Sequence, residues 1–270
     1  MTHPGMGGAN VGAAIVIGMC LIAVFPDAIA PGDPFATSDA ALLSPSARYP
    51  FGSDDIGRDL FCAVVHGTRA SLLVGAGTAA AAATVGVLVG ASAGFAGGLT
   101  DDLLMRATEL FQAMPRFFLV LAVAAVLGSR LGTLILVLGF TSWTSVARMT
   151  RAQVSTVRTS DHVVAARAAG ASVLRVVVQH VLPSILAPLV ALASFQASGA
   201  MLVEAGVSFL GLGDPSVITW GALLHDAQRF LRVAWWMALF PGAALTITVL
   251  GIQLIGDAVS DAIAGATTDI

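Results

Sequence analysis

Long apolar runs separated by short polar breaks dominate the chain. A helix that crosses a bilayer needs about 20 mostly apolar residues. The pattern predicts six such spans, at residues 11–30, 70–95, 103–127, 131–147, 184–210 and 235–258. Each reads as helix, because the ten-residue alternation of a barrel strand is absent. A stretch rich in Pro and Asp, residues 31–50, cannot span and reads as a linker. The breaks "GGLTDD", "GSRLG" and "GLGDPS" read as turns. Residues 70–95 are rich in Ala and Gly, which let helices approach closely inside a bilayer. The third span is less clean, because Arg106, Glu109 and Arg116 lie within it. A cleaved signal peptide is the rival reading of the first span, but no basic residue precedes it, so a retained span is expected. Six spans put both chain ends on the same side.

Composition strengthens this picture. The chain of 270 residues is 57% hydrophobic and 11% charged, with mean hydropathy +0.88. A soluble domain would be about a quarter charged, so the expected class is an all-α integral membrane protein. The net charge of −3 carries little information. All 13 basic residues are arginine. A chain without lysine cannot carry a phosphate-binding loop, which needs one, so nucleotide hydrolysis through such a site is excluded. No basic block suggests nucleic acid. Cys20 and Cys62 lie far apart and the 5 histidines are scattered, so no metal-type spacing appears. Five arginines (148, 151, 158, 167 and 175) crowd residues 148–182 against one acid, Asp161. That density favours the cytoplasmic side for this loop, although six arginines (48, 58, 69, 130, 229 and 232) fall on the other face.

The stretch "DHVVAARAAGASVLRVVVQHVLP", residues 161–183, departs from the oily background. As a helix it places Ala165 and Ala169 on one face with Ala166 and Gly170 beside them, a shallow surface bordered by Arg167. Gly170 suits a helix end, and Pro183 suits the first turn of the next helix. A second, basic amphipathic piece would lie between them. Two readings stand at this point. The surface could fit closely into a groove on another protein, or the segment could lie on lipid headgroups with its arginines on phosphates.

"AARAAG" followed by Leu182-Pro183 resembles the EAA loop of ABC-transporter permease subunits. Val164 stands where that pattern has Glu, and His180 where Ile is common. The resemblance extends to "YPFGSDDIGRDLFCAVVHGTRASLLVG", "GGLTDDLLMRATELFQAMPRFFLVLA", "VEAGVSFLGLGDPSVITWG" and "FPGAALTITVLGIQLIGDAVSDAI". These blocks are similar to the C-type permease of the dipeptide/oligopeptide/nickel family. The resemblance implies the type I ABC importer permease fold, with six transmembrane helices and a cytoplasmic coupling loop at residues 148–183. It implies an N-terminal segment, 1–48, holding the first helix and linker, and a permease domain, 49–270. It further implies a multi-pass protein of the bacterial cytoplasmic membrane with both termini cytoplasmic. Its partners would be a second permease subunit, two ABC ATPase subunits and an extracytoplasmic substrate-binding protein. ATP and Mg would bind the ATPase chains, leaving this chain without a cofactor or catalytic residue. Coupling to the ATPase would fall to Asp161, Ala165, Ala166, Arg167, Gly170, Leu182 and Pro183. The expected solute is a di- or oligopeptide, with nickel or another small solute as the alternative.

A charge in mid-membrane is costly and usually faces protein or water. Arg116, Gln196 and Glu204 are therefore candidates for the translocation path. Arg116 could meet a peptide carboxylate or bridge to the partner permease, and Glu204 could face a cation or anchor a loop. Arg106 and Glu109 are expected to pair. Asp257 and Asp261 suit the inner water boundary, and Trp220, Trp235 and Trp236 read as interface anchors. Other classes offer rivals. "GASAG" formally fits a nucleophile motif with Ser92, but that motif needs a strand–turn–helix elbow. A stand-alone secondary transporter would need inverted repeats or paired midplane acids, which the sequence does not show.

Overall fold

The computed structural model describes residues 4–113, 115–128, 130–170 and 182–268, and between 170 and 182 only positions 172, 175 and 179. The described residues are helical with irregular connections, and a single antiparallel bridge joins Ser53 to Asp59. The helices are α1 (Pro4–Val24), α2 (Pro26–Ile29), α3 (Leu60–Ala96), α4 (Gly98–Gln112), α5 (Arg116–Leu127), α6 (Leu131–Arg158), α7 (Asp161–Ala168), α8 (Leu182–Val207), α9 (Trp220–Ala227) and α10 (Trp236–Thr268). Five are long and apolar enough to cross a membrane, and α4 with α5 makes a sixth span if the bent pair is counted as one.

Several boundaries differ from the sequence reading for local reasons. The first helix runs Pro4–Val24 rather than to residue 30, and Pro26 opens a separate turn. The α3 helix begins at Leu60, ten residues before the apolar run, because Asp59 caps it by accepting from the Phe61 (2.8 Å) and Cys62 (3.4 Å) N–H groups. Its 37 residues extend for about 55 Å, well beyond a hydrocarbon core of about 30 Å. "GGLTDD" is only partly a turn: Gly97 (φ 65) and Gly98 (φ 55) reverse the chain, and the rest opens α4. The third span is broken, with its halves at 74°. Pro115 holds φ −62 and ψ 111 before α5, and a proline has no N–H with which to continue the α4 ladder.

Close approach of α3 and α6 organises the bundle. Gly86, Gly90 and Gly94 form a bare stripe along α3. A Cβ at Gly90 would collide with the Ala147 carbonyl oxygen, and one at Gly94 would lie 2.7 Å from Val154 Cβ. Backbone meets backbone there, as the small-residue composition predicts. The α1 and α10 helices approach similarly, with Gly12 against Gly251 and Leu254. At one end of the bundle Arg158 Nη1 donates to the carbonyls of Phe95 (2.8 Å) and Gly94 (3.3 Å), capping α3. Nearby, Arg151 Nε donates to Asp101 (3.0 Å). The first turns of α1 and the last turns of α10, which run antiparallel, lie toward this end, the end that carries α7.

The opposite end is covered by residues 31–59 and by α9, which the sequence reading missed. The linker is an ordered strap. Leu42 N–H donates to the Asp54 carbonyl (2.8 Å) and Ser53 N–H to that of Leu43 (2.9 Å). Arg58 pairs with Asp54 on the strap and with Asp226 on α9 (2.8 Å). Burial opposes the Arg58 charge, but these two carboxylates outweigh it and raise its pKa. Two tryptophans expected at the membrane interface are instead internal. Trp220 is 1% exposed and donates from Nε1 to the Val64 carbonyl (3.0 Å). Trp236 is also buried and donates to the Ser53 carbonyl (3.1 Å). Only Trp235 of the three is exposed. A buried indole needs a partner for its N–H, and the strap and α3 supply one each.

Candidate functional site: an exposed loop helix and a half-buried arginine

Between the long helices α6 and α8 the chain leaves the bundle as α7. Val163 is fully buried and fixes the helix to the bundle end, and its N–H donates to the Ser160 carbonyl (3.0 Å). The next positions face outward. Val164 is 54% exposed, and Asp161, Ala165, Ala168, Ala169 and Gly170 are exposed. Asp161 lies in the first turn, where a negative charge suits the helix dipole. Gly170 has φ +88, and a Cβ there would meet nothing within 4 Å. The helix therefore ends in a left-handed residue that is free of packing, with small side chains displayed before it. Ala166 and Arg167 belong to α7, but their side chains lie outside the described residues, as do His180 and most of the basic piece expected after Gly170. Leu182 and Pro183 open α8, and Pro183 is exposed.

The second cluster lies halfway along the bundle, at the break between α4 and α5. Arg116 opens α5 and reaches across to α6 and α8. Its Nη1 donates to Ser142 Oγ (3.0 Å) and to Gln196 Oε1 (3.3 Å). Gln196, 5% exposed, is held in turn, since its Nε2 donates to the Ser142 carbonyl (3.3 Å). Ser142 Oγ donates to the Leu138 carbonyl (2.6 Å), which leaves its lone pairs for the arginine. Gly199, one turn after Gln196, stands beside the guanidinium; a Cβ there would lie 3.6 Å from Nη2. One turn before the break, Gln112 donates to Thr144 (3.2 Å). The sequence reading chose Arg116 and Gln196 but missed Ser142 and Gly199. The signal was available only as polar and small residues at mid-span, which packing alone also explains.

Residues 86–268 match the family described as binding-protein-dependent transport system inner membrane component. The chain belongs to this family. The di/tripeptide transport system permease protein DppC of Pseudomonas aeruginosa is 36% identical over 264 residues, covering 95% of this chain and 87% of that protein. The probable D,D-dipeptide transport system permease protein DdpC of Escherichia coli K12 is 36% identical, covering 92% of this chain and 84% of that one. Among solved structures, an inward-facing form of the MetNI methionine ABC transporter aligns with TM-score 0.56 and 19% identity, over 74% of this chain and 95% of that one. That similarity shows the fold, a type I ABC importer permease. The family is one of transporter subunits, and the apolar helices place this inner membrane component in a membrane.

The remaining candidates in this inner membrane component stand apart from the two clusters. Glu204 is 2% exposed. It accepts from Ser208 Oγ (2.6 Å), one turn further on, so it is held within its own end of the α8 segment. No ion pair joins Arg106 to Glu109; both are exposed on α4, and among the described residues α4 forms its ion pair through Asp101. Asp257 and Asp261 are exposed along the last turns of α10. Ser92 sits inside the unbroken α3 and donates to the Leu88 carbonyl (2.7 Å). A helical serine turned onto its own backbone has no nucleophile elbow, so the hydrolase reading fails there.

Proposed function

We propose that this chain is the C-type permease subunit of an importer that moves di- or oligopeptides across the bacterial cytoplasmic membrane. Two ATPase subunits bind ATP and Mg and supply the work, a second permease completes the channel, and an extracytoplasmic binding protein delivers the solute. Both termini and α7 lie on the cytoplasmic side, a reading supported by the arginines at 148, 151, 158, 167 and 175. The peptide substrate rests on the relatives, whose names describe di/tripeptide and D,D-dipeptide transport.

The observation that carries this reading is α7. It is a short helix projecting between two long spans, with Val163 rooted in the bundle and small residues facing out. In this account Asp161, Ala165, Ala166, Arg167 and Gly170 meet the ATPase, while Leu182 and Pro183 begin the return into the membrane. A rigid connection matters because the motor moves and the bundle must follow. The two arrangements of the bundle need differ by only a few kcal/mol for bound nucleotide to shift them. Arg116 and Gln196 line the solute path, whereas Glu204, held by Ser208, anchors its own end of the α8 segment.

The test uses the whole transporter in proteoliposomes. ATP-dependent uptake of a tripeptide is expected for the complete complex, and none for this chain alone. Gly170→Trp should abolish uptake while the chain still inserts and folds, since open space surrounds that position. Uphill transport by this chain alone, or normal uptake by the Trp variant, defeats the proposal.

A further inference from the structure

The arginine at the helix break is aimed but not neutralised. Its two hydrogen-bond partners, Ser142 Oγ and Gln196 Oε1, are neutral. Both are fixed by further bonds, Ser142 to the Leu138 carbonyl and Gln196 to the Ser142 carbonyl, so neither can turn away. No carboxylate of the described chain lies within ion-pair distance of Arg116; the ion pairs are Arg58 with Asp54 and Asp226, His66 with Asp27, and Arg151 with Asp101. Nη2 makes no hydrogen bond to the described residues, and Gly199 leaves a notch of bare backbone beside it.

Depth sharpens the point. Ser142 is near the middle of α6 and Gln196 near the middle of α8. At 1.5 Å per residue each is roughly 15 Å from a helix end, which is about the bilayer midplane. An uncompensated cation at that depth is expensive, and a nearby glutamate would have removed the cost. The chain instead supplies a glutamine, the neutral isostere, in hydrogen-bond contact with the guanidinium. A planar guanidinium with one nitrogen engaged and another free presents donors suited to a carboxylate.

We infer that Arg116, positioned by Ser142 and Gln196, binds the free carboxylate of the translocating solute. The inference rests on the proposed peptide import and deepens it, since every unmodified linear peptide ends in such a group. The site is an anion filter in the middle of the path. The solute supplies the missing counter-charge in transit, and the absence of a fixed acid leaves the place open for the next molecule.

The test is a set of single substitutions in the complete transporter, reconstituted with its partner subunits and binding protein, with Ala-Ala-Ala as the probe. Gln196→Glu changes no shape but puts a permanent carboxylate beside Arg116. It should reduce maximal uptake by about tenfold or more, leave the half-saturating concentration unchanged because delivery lies upstream, and leave co-purification of the second permease intact. Arg116→Gln should do the same, and Arg116→Lys should recover part of the rate. A purely structural arginine predicts the opposite for Gln196→Glu, an unchanged or stabilised and active transporter, and that result overturns the inference. Loss of the partner permease on Arg116→Gln also overturns it, by assigning the counter-charge to the partner's surface. A wild-type complex that carries no peptide at all fails at the proposed function instead, and takes the carboxylate reading with it.

Discussion

Asp214 ties two parts of the end opposite α7 together. Its carboxylate accepts from the Leu131 N–H at the start of α6 (2.9 Å) and from the Ser216 N–H (3.0 Å) and Oγ (2.6 Å). Burial pushes its pKa up, but these bonds, with Arg130 nearby, outweigh burial and hold it below the ordinary carboxylate range. A group with a depressed folded-state pKa stabilises the fold above its unfolded value of about 3.9, and that contribution disappears as pH falls through the lower folded value. The melting temperature of the detergent-solubilised chain should therefore fall as pH drops below about 4. Asp214→Asn should be less stable at neutral pH and lose part of that dependence; an unchanged pH profile in the variant would contradict the assignment. Trp220 makes the larger residue-scale contribution. Trp220→Ala removes a buried indole packed against Leu60 and Val64 and should destabilise by about 3–5 kcal/mol. Trp220→Phe keeps most of the packing, loses the bond to Val64, and should cost about 1 kcal/mol. Equal losses for the two variants would show that packing is not the main term.

At the scale of elements, two glycines have opposite jobs. Gly90 belongs to the seam between α3 and α6, where any Cβ meets the Ala147 backbone. Gly170 ends α7 in the left-handed region with open space around it. Gly90→Leu should push the helices apart and sharply lower the yield of monodisperse protein in size-exclusion chromatography. Gly170→Leu should keep that yield, at a strain cost of about 1–2 kcal/mol, and lose coupling. If both variants elute alike, the seam is not what sets the bundle. The same scale shows what the apolar pattern can tell. It located every span, because bilayer thickness and the burial of backbone polar groups leave helices as the only solution. It misplaced the ends, because ends are set by caps and turns: Asp59 starts α3 before the oil begins, and Pro115 splits the third span. It missed α9 and read Trp220 and Trp236 as interface anchors, because the strap that buries Trp236 looks in sequence like a plain Pro-Asp linker. The arginine cluster was half legible. Arg116 and Gln196 stand out as polar residues in oil, whereas Ser142 and Gly199 gain meaning only when the bend brings α5 against α6 and α8.

At the scale of the molecule, the two ends differ in construction. The end away from α7 is closed over by the strap and tied by Arg58 between Asp54 and Asp226. Among the described residues, the other end puts out the short helix α7, with Ala165, Ala168 and Ala169 exposed. A subunit built this way is suited to be moved rather than to move itself: α7 joins directly to α6, and α6 with α8 holds the arginine at mid-depth. The measurement that tests this most directly is a cross-link from Ala165→Cys in membranes containing the complete transporter. The account predicts a product joining this chain to an ATPase subunit, with a yield that changes when ATP is added. A cysteine at position 165 that reacts readily with small thiol reagents yet never captures an ATPase subunit would contradict it.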